Sequence, residues 1–520
     1  MPRSLLLTVV PMLLVFSPAE AQHKSDPLAG LDGYITGAVK DWNVPGLSIA
    51  VVKGDSIVFA KGFGVRELGK ADPVTPNTLF AIGSNSKSFT AAAIGMLVDE
   101  GKMRWDDRVT KFLPGFQLYD PYVTRELTIR DVLSHRSGLG RRADLLWIVA
   151  GYPRAEVLRR IRFLEPNAGF RTEMGYQNIM FLAAGEAAGA AAGATWDELV
   201  TQRVLRPLGM TRSNTSVRDL ARDTDVAQPH SMRDSAPGLR APASPSPGGV
   251  LTVIPWRNID NIAPAGSINS SVMEMSRYLR FINAGGTFEG KQLLKPATLG
   301  VITTPHTILP VPPDTLFPSV HFRAYGLGWG LSDYHGRKMM SHSGGIDGML
   351  SWMYLVPEEK LGIMILTNGD NHSVGPGIVY RILDSYLTGS SRDWNAIMLA
   401  QFKRAMEMQQ SREKVRLASR AANTRPSRPL SVYAGVYADS LYGDLVIRLE
   451  GDRLVADLGP HGAGGVLEHW QYDSFRLVWR DRAFGKMDLT FTLDRDGNPS
   501  VARIDTMQDS MVFRRRPENP

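Results

Sequence analysis

Leu79-Phe80-Ala81-Ile82-Gly83-Ser84-Asn85-Ser86-Lys87-Ser88-Phe89 runs from a strand-like triplet into a helical segment. Residues 86–100 read as a helix, stopped by Gly101. Residues three apart on a helix share a face, so the Ser84 hydroxyl and the Lys87 amine can meet at the helix N-terminus. A serine hydroxyl is a weak nucleophile and needs a nearby base. Lysine serves as that base only where desolvation or cationic neighbours lower its pKa. The helix end adds N–H groups and positive dipole, which suit a developing oxyanion. The plain alternative is that Ser84 is an N-cap and Lys87 a solvated cation.

Two later stretches carry matching chemistry. Tyr176-Gln177-Asn178 follows Glu173-Met174-Gly175 and precedes the apolar 179–182, so it lies on a loop entering a helix. A phenol beside a lysine ammonium can exchange protons with a serine, and an asparagine offers both donor and acceptor to a substrate amide. The structural alternative is a capping or core tyrosine. His342-Ser343-Gly344-Gly345 precedes the strand-like 350–356. Its glycines allow close approach to a strand edge, and a Gly345 N–H could pair with that of Ser84 as an oxyanion hole. His342 could donate to a substrate carboxylate or tune Tyr176. Here the alternative is a glycine-rich turn with a structural histidine.

Around these motifs the chain is organised in three parts. In residues 25–387 strand-like and helix-like segments alternate. Residues 47–52 and 56–60 read as a hairpin turning at Lys53-Gly54-Asp55, residues 353–356 and 361–367 as strands, and 377–387 as a late helix. Strands at both ends with helices between predict an α+β, or mixed α/β, domain whose sheet is built from both chain ends, with a helical insertion. Residues 232–250, rich in Pro, Ser, Gly and Ala, read as a surface loop. Residues 394–420 have helical propensity, and the breaker-rich 423–429 follows. The tail alternates with period two: Leu445, Ile447 and Leu449; Leu454, Ala456 and Leu458; Phe475, Leu477 and Trp479; Met487, Leu489, Phe491 and Leu493. Antiparallel strands with one buried face follow, in a small barrel or sandwich. The expected division is a leader at 1–21, a larger α+β domain at 22–390 that carries the three motifs, a helical linker at 391–429 and a β-barrel domain at 430–520.

Composition narrows the function classes. The chain has 520 residues, 43% of them apolar and 21% charged, which is ordinary globular composition. The net charge of +7 is spread along the chain, a solvated surface and not a nucleic-acid footprint. The absence of cysteine rules out disulfides, a thiolate nucleophile and cysteine-held zinc. Histidines are scattered, with no His-Glu-x-x-His helix and no Gly-rich phosphate loop, so no metal or cofactor is expected. Arg3, the apolar run 5–16 and Ala19-Glu20-Ala21 have the form of a cleaved signal peptide. The run falls short of the ~20 residues that cross a bilayer as a helix. The expectation is therefore an exported protein, periplasmic or secreted, with no membrane span after cleavage.

The ordered set Ser84-x-x-Lys87, Tyr176-x-Asn178 and His342-x-Gly344 resembles the serine β-lactamase and penicillin-binding protein family, most closely its class C-like branch of β-lactamase-related esterases and D-amino-acid peptidases. Residues 127–139, Pro207-Leu208-Gly209-Met210, Pro264-Ala265-Gly266-Ser267 and Tyr325-Gly326-Leu327-Gly328-Trp329 resemble further blocks of it. The resemblance covers residues 28–387. It implies Ser84 as acylated nucleophile, Lys87 and Tyr176 sharing the base and acid work, and Asn178, His342, Ser343 and Gly344 as substrate-binding residues. It also implies an oxyanion hole from the Ser84 and Gly345 amides and a structural His135. Which of Lys87 and Tyr176 takes the first proton stays open. His342 stands where β-lactamases usually carry the Lys of Lys-Thr-Gly, which disfavours β-lactam hydrolysis. The reaction implied is hydrolysis of an ester or of a D-amino-acid-containing peptide or amide. The alternatives are true β-lactamase or D,D-carboxypeptidase activity, or a penicillin-binding sensor that acylates without turnover. The partner is a small molecule or short peptide, and oligomerisation is left open. The tail, with Tyr433-Ala434-Gly435-Val436-Tyr437 and 469–475, resembles a lipocalin-like domain that follows some of these hydrolases.

Overall fold

The computed structural model describes residues 26–233, 250–311, 313, 316–317, 319–370, 372–506 and 510–517. An eight-stranded antiparallel sheet organises the hydrolase domain. Its strands are β1 (Gly46–Lys53), β2 (Ser56–Gly64), β3 (Thr307–Leu309), β4 (Arg323–Tyr325), β5 (Gly330–Tyr334), β6 (Arg337–Ile346), β7 (Met349–Val356) and β8 (Leu361–Thr367). They lie in the order β2-β1-β8-β7-β6-β5-β4-β3, so the two chain ends meet where β1 pairs β8, with Leu47 opposite Thr367.

Helices cover both faces of this sheet, which is why β1 and β8 read as nearly unbroken apolar runs. On β1, Leu47, Ile49 and Val51 enter the core cluster containing α1 (Leu31–Asp41), while Ala50 and Val52 enter the opposite one. β8 does the same with Ile363 and Ile365 against Met364 and Leu366. The second cluster holds α2 (Ser86–Asp99), α3 (Asn178–Ala192) and α4 (Val272–Asn283). In α2 every residue from Ser86 to Leu97 is buried, and a helix apolar on most sides belongs inside the protein. α5 (Val374–Thr388) packs on the α1 side.

α6 (Trp394–Ala418) joins the two domains. Its start is built into the hydrolase core: Trp394 is fully buried, stacks on Phe317 and donates its indole N–H to Asp384 at 2.7 Å. Near its other end Arg416 pairs with Asp488 at 3.3 Å, and just beyond it the Arg420 side chain donates to the Trp470 carbonyl. The tail is a closed antiparallel barrel of β9 (Gly435–Asp439), β10 (Gly443–Glu450), β11 (Arg453–Leu458), β12 (Ala463–Gln471), β13 (Ser474–Trp479), β14 (Lys486–Leu493), β15 (Pro499–Asp505) and β16 (Ser510–Arg515). Strands follow in chain order, and Tyr437 opposite Arg515 closes the ring. Closure leaves no sheet edge exposed.

Two sequence expectations need adjustment. Leu449 is 40% exposed, because β10's last three residues are all exposed and the strand there leaves the packed wall. The ends of the proposed 232–250 loop, which lack proline, are strands: Met232 pairs Leu251 and Arg233 pairs Val250. Residues 234–249 lie outside the described residues, as does the leader 1–21. Among the described residues no helix is long and apolar enough to cross a membrane.

Candidate active site

Ser84 occupies a 3-10 turn, Gly83–Asn85, that feeds α2. It is partly exposed while the residues on either side of it are buried, so its hydroxyl is the point of this turn that solvent reaches. The turn is held from both directions. Ile82 donates to the Ile268 carbonyl at 3.0 Å. The Asn85 amide donates to Ser351 on β7, whose hydroxyl donates to the Ile82 carbonyl, both at 2.7 Å. Gly83 has φ +51°, and a Cβ there would lie 2.8 Å from the Gly345 nitrogen. Any larger residue would push β6 away, so the glycine sets the Gly345 amide beside the turn.

Lys87 is wholly buried. Its Nζ lies 3.1 Å from Ser84 Oγ, 2.7 Å from Asn178 Oδ1 and 2.9 Å from the Ala265 carbonyl. Burial drives its pKa well below the usual lysine range; Asp144 opposes that shift and Arg141 adds to it. A neutral amine has two N–H bonds and one lone pair. The two carbonyl-type acceptors take the N–H bonds, which leaves the lone pair facing Ser84. Tyr176 donates its O–H to Ser84 Oγ at 3.0 Å. Burial pushes this phenol well above its ordinary value, so it stays protonated and remains a donor. With Lys87 neutral, Ser84 would give its proton toward the amine while accepting from Tyr176.

The other expected residues gather at the same place. Asn178 begins α3 behind the Gln177 cap. Its Oδ1 receives Lys87, and its Nδ2 donates to Asp144 Oδ2 at 3.0 Å. His342 and Gly344 are buried on β6, whereas Ser343 and Gly345 are exposed. The His342 ring differs from expectation. Its Nδ1 lies 2.7 Å from the Ser343 carbonyl and its Nε2 3.0 Å from the Tyr325 hydroxyl, so both nitrogens are engaged within the protein. The network assigns the proton to Nδ1. Burial, with the Lys87 charge, lowers the ring to about 3 and keeps it neutral. It has no free N–H for a substrate carboxylate.

Four contributors escaped the sequence reading. Ala265 and Tyr325 lie in stretches whose resemblance was visible, but a backbone carbonyl and a hydroxyl aimed at another side chain leave no sequence signal. Asp144 and Arg141 lie on the short helical turn Arg141–Asp144, just beyond the matching stretch 127–139. The Arg141 guanidinium lies 5.1 Å from the Tyr176 ring centroid. His135 supports the tyrosine: Nδ1 accepts from the Gln177 N–H at 3.1 Å, and its ring lies 4.4 Å from that of Tyr176.

Comparison with known proteins shows what the whole chain resembles. The family described as Beta-lactamase matches residues 31–385, and a domain of unknown function (DUF3471) matches 419–516. An unguisins hydrolase from Aspergillus campestris (strain IBT 28561) is 28% identical over 89% of this chain and 86% of its own length. The octameric penicillin-binding protein homologue from Pyrococcus abyssi superposes with TM-score 0.58 at 21% identity, covering 93% of this chain and 99% of its own. The D-amino acid amidase from Ochrobactrum anthropi SV3 gives 0.54 at 23% identity, over 69% and 98%.

Proposed function

The chain belongs to the beta-lactamase family of serine hydrolases, and on that premise we propose that it hydrolyses an ester or a D-amino-acid-containing peptide or amide through an acyl-enzyme on Ser84. The observation that carries this reading is Ser84 Oγ, partly exposed, between Lys87 Nζ at 3.1 Å and the Tyr176 hydroxyl at 3.0 Å. Neutral Lys87 takes the Ser84 proton as Oγ attacks the acyl carbon. The oxyanion that forms is held by the amides of Ser84, in the turn before α2, and of Gly345 on β6. Tyr176 then delivers a proton to the leaving group and is reprotonated from Lys87. Water enters and is deprotonated along the same route, which releases the acid and restores Ser84. Asn178, His342, Ser343 and Gly344 line the substrate side.

The name of the unguisins hydrolase supports a hydrolytic reaction, and that of the D-amino acid amidase an amide substrate. A neutral His342 with both nitrogens engaged supports an ester or peptide over a β-lactam, since no lysine stands there to hold a carboxylate. We also propose export, supported by the apolar run 5–16 and its small-residue end; a mature N-terminus at Gln22 is the expected result of sequencing the secreted protein.

Nitrocefin, p-nitrophenyl butyrate and a D-alanyl p-nitroanilide, each tried with wild type and Ser84→Ala, test the reading. The ester is expected to turn over fastest, and Ser84→Ala to abolish all turnover. Ester turnover that survives Ser84→Ala would overturn the nucleophile. Nitrocefin as the best of the three would make the protein a β-lactamase.

A further inference from the structure

The amide of Asn178 has two nearly isosteric ends, and its partners alone decide which end faces Lys87. On one side stands Lys87, on the other Asp144. The Asp144 carboxylate accepts on both oxygens: Oδ2 from Asn178 Nδ2 at 3.0 Å and Oδ1 from the Trp147 indole N–H at 2.9 Å. Its side chain is only 15% exposed, and Arg141 Nε stands 3.7 Å from Oδ2. No neutral side chain of that size can accept in both directions.

We infer that Asp144 is a positioning residue for the proposed reaction: its carboxylate fixes Asn178 with the oxygen toward Lys87, so that Asn178 Oδ1 and the Ala265 carbonyl use the amine's two N–H bonds and leave its lone pair to Ser84. This rests on Lys87 acting as the base. With the amide turned over, its N–H would point at the amine and occupy the lone pair that must accept the Ser84 proton. Asp144 then governs activity through two effects that separate experimentally. Orientation sets how fast the proton moves. Charge sets the pH at which Lys87 becomes neutral, because a carboxylate nearby favours the ammonium form. The other titratable groups that face the amine are the Tyr176 phenol, the neutral rings of His135 and His342, and Arg141.

The test uses the full chain and p-nitrophenyl butyrate across the pH range, with wild type, Ser84→Ala, Asp144→Asn and the exchange Asp144→Asn with Asn178→Asp. Melting curves confirm folding. Asp144→Asn leaves one oxygen for two donors and is expected to lower kcat by about tenfold, less than the ~10²-fold or more that losing the base itself would cost. Its acidic limb moves to lower pH. The exchange restores the hydrogen-bond direction: the new amide at 144 accepts from Trp147 and donates to the new carboxylate at 178, which accepts from Lys87. Its kcat is expected to recover several-fold over the single variant. Its acidic limb moves above that of wild type, because the charge now touches the amine. A single variant with wild-type kcat and an unmoved limb would overturn the inference. So would an exchange no faster than the single variant. Turnover by Ser84→Ala would instead sink the nucleophile reading, whatever the Asp144 variants do.

Discussion

Ser84 lies between two groups that burial moves in opposite directions on the pH scale. Lys87 loses its proton more easily than an exposed lysine, and Tyr176 holds its own more tightly than an exposed tyrosine. Burial disfavours whichever form is charged, so the amine becomes a base and the phenol remains an acid. Activity should therefore rise with pH as Lys87 becomes neutral and fall away below its pKa, where the ammonium has no lone pair. The phenol's role is separable by leaving group. p-Nitrophenolate departs without a proton, whereas an anilide nitrogen needs one. Tyr176→Phe is expected to slow the D-alanyl p-nitroanilide by about a hundredfold or more and the p-nitrophenyl ester by about tenfold or less, in steady-state kcat. Equal losses on the two substrates would contradict the relay.

At the scale of elements, the site depends on how closely β6 approaches the turn at Ser84. A methyl on Gly344 would overlap the Ile82 carbonyl and the Ser351 hydroxyl, the two groups that tie down this turn. Gly344→Ala is expected to lower stability by about 1–3 kcal/mol, read from denaturant midpoints, and to lower kcat as well, because the strain falls on the nucleophile's own support. Those glycines were visible in the chain, as was the length of α2, because the spacing of Ser84, Lys87 and the stop at Gly101 is local. The sheet hairpins and the barrel's period-two strands were legible for the same reason. Asp144 was not. Its partner Asn178 lies 34 residues along the chain, and an acid after two arginines reads as ordinary surface charge. The roles of Ala265 and Tyr325 depend likewise on long-range packing. The strand pairing of residues 232–233 with 250–251 was hidden by the composition between them.

Across the whole molecule the barrel bears on the site through the insertion that carries Asp144. Tyr152 donates to the Tyr442 carbonyl at 3.2 Å, and Arg160 donates to the carbonyls of Ser440 and Leu441 at 3.0 and 3.2 Å. Tyr442 in turn reaches the Arg142 carbonyl, two residues from Asp144. A second tie is Arg257, which pairs with both Asp347, beside β6, and Asp481 of the barrel. Arg160→Ala removes two hydrogen bonds to the barrel, the ion pair with Glu156 and the guanidinium 4.3 Å from the Tyr152 ring centroid. A loss of about 1–2 kcal/mol is expected, with faster amide hydrogen exchange in residues 141–164 and none in β1. Unchanged exchange in that segment would mean the barrel does not brace it.

The central claim is acylation at Ser84, and acid-quenching the reaction with p-nitrophenyl butyrate tests it most directly. Trypsin should release residues 71–87 as one peptide, and fragmentation distinguishes Ser84 from Ser86 within it. A butyryl group on Ser84, absent from Ser84→Ala, is the predicted result; a butyryl group on any other residue, with turnover intact in Ser84→Ala, would contradict it.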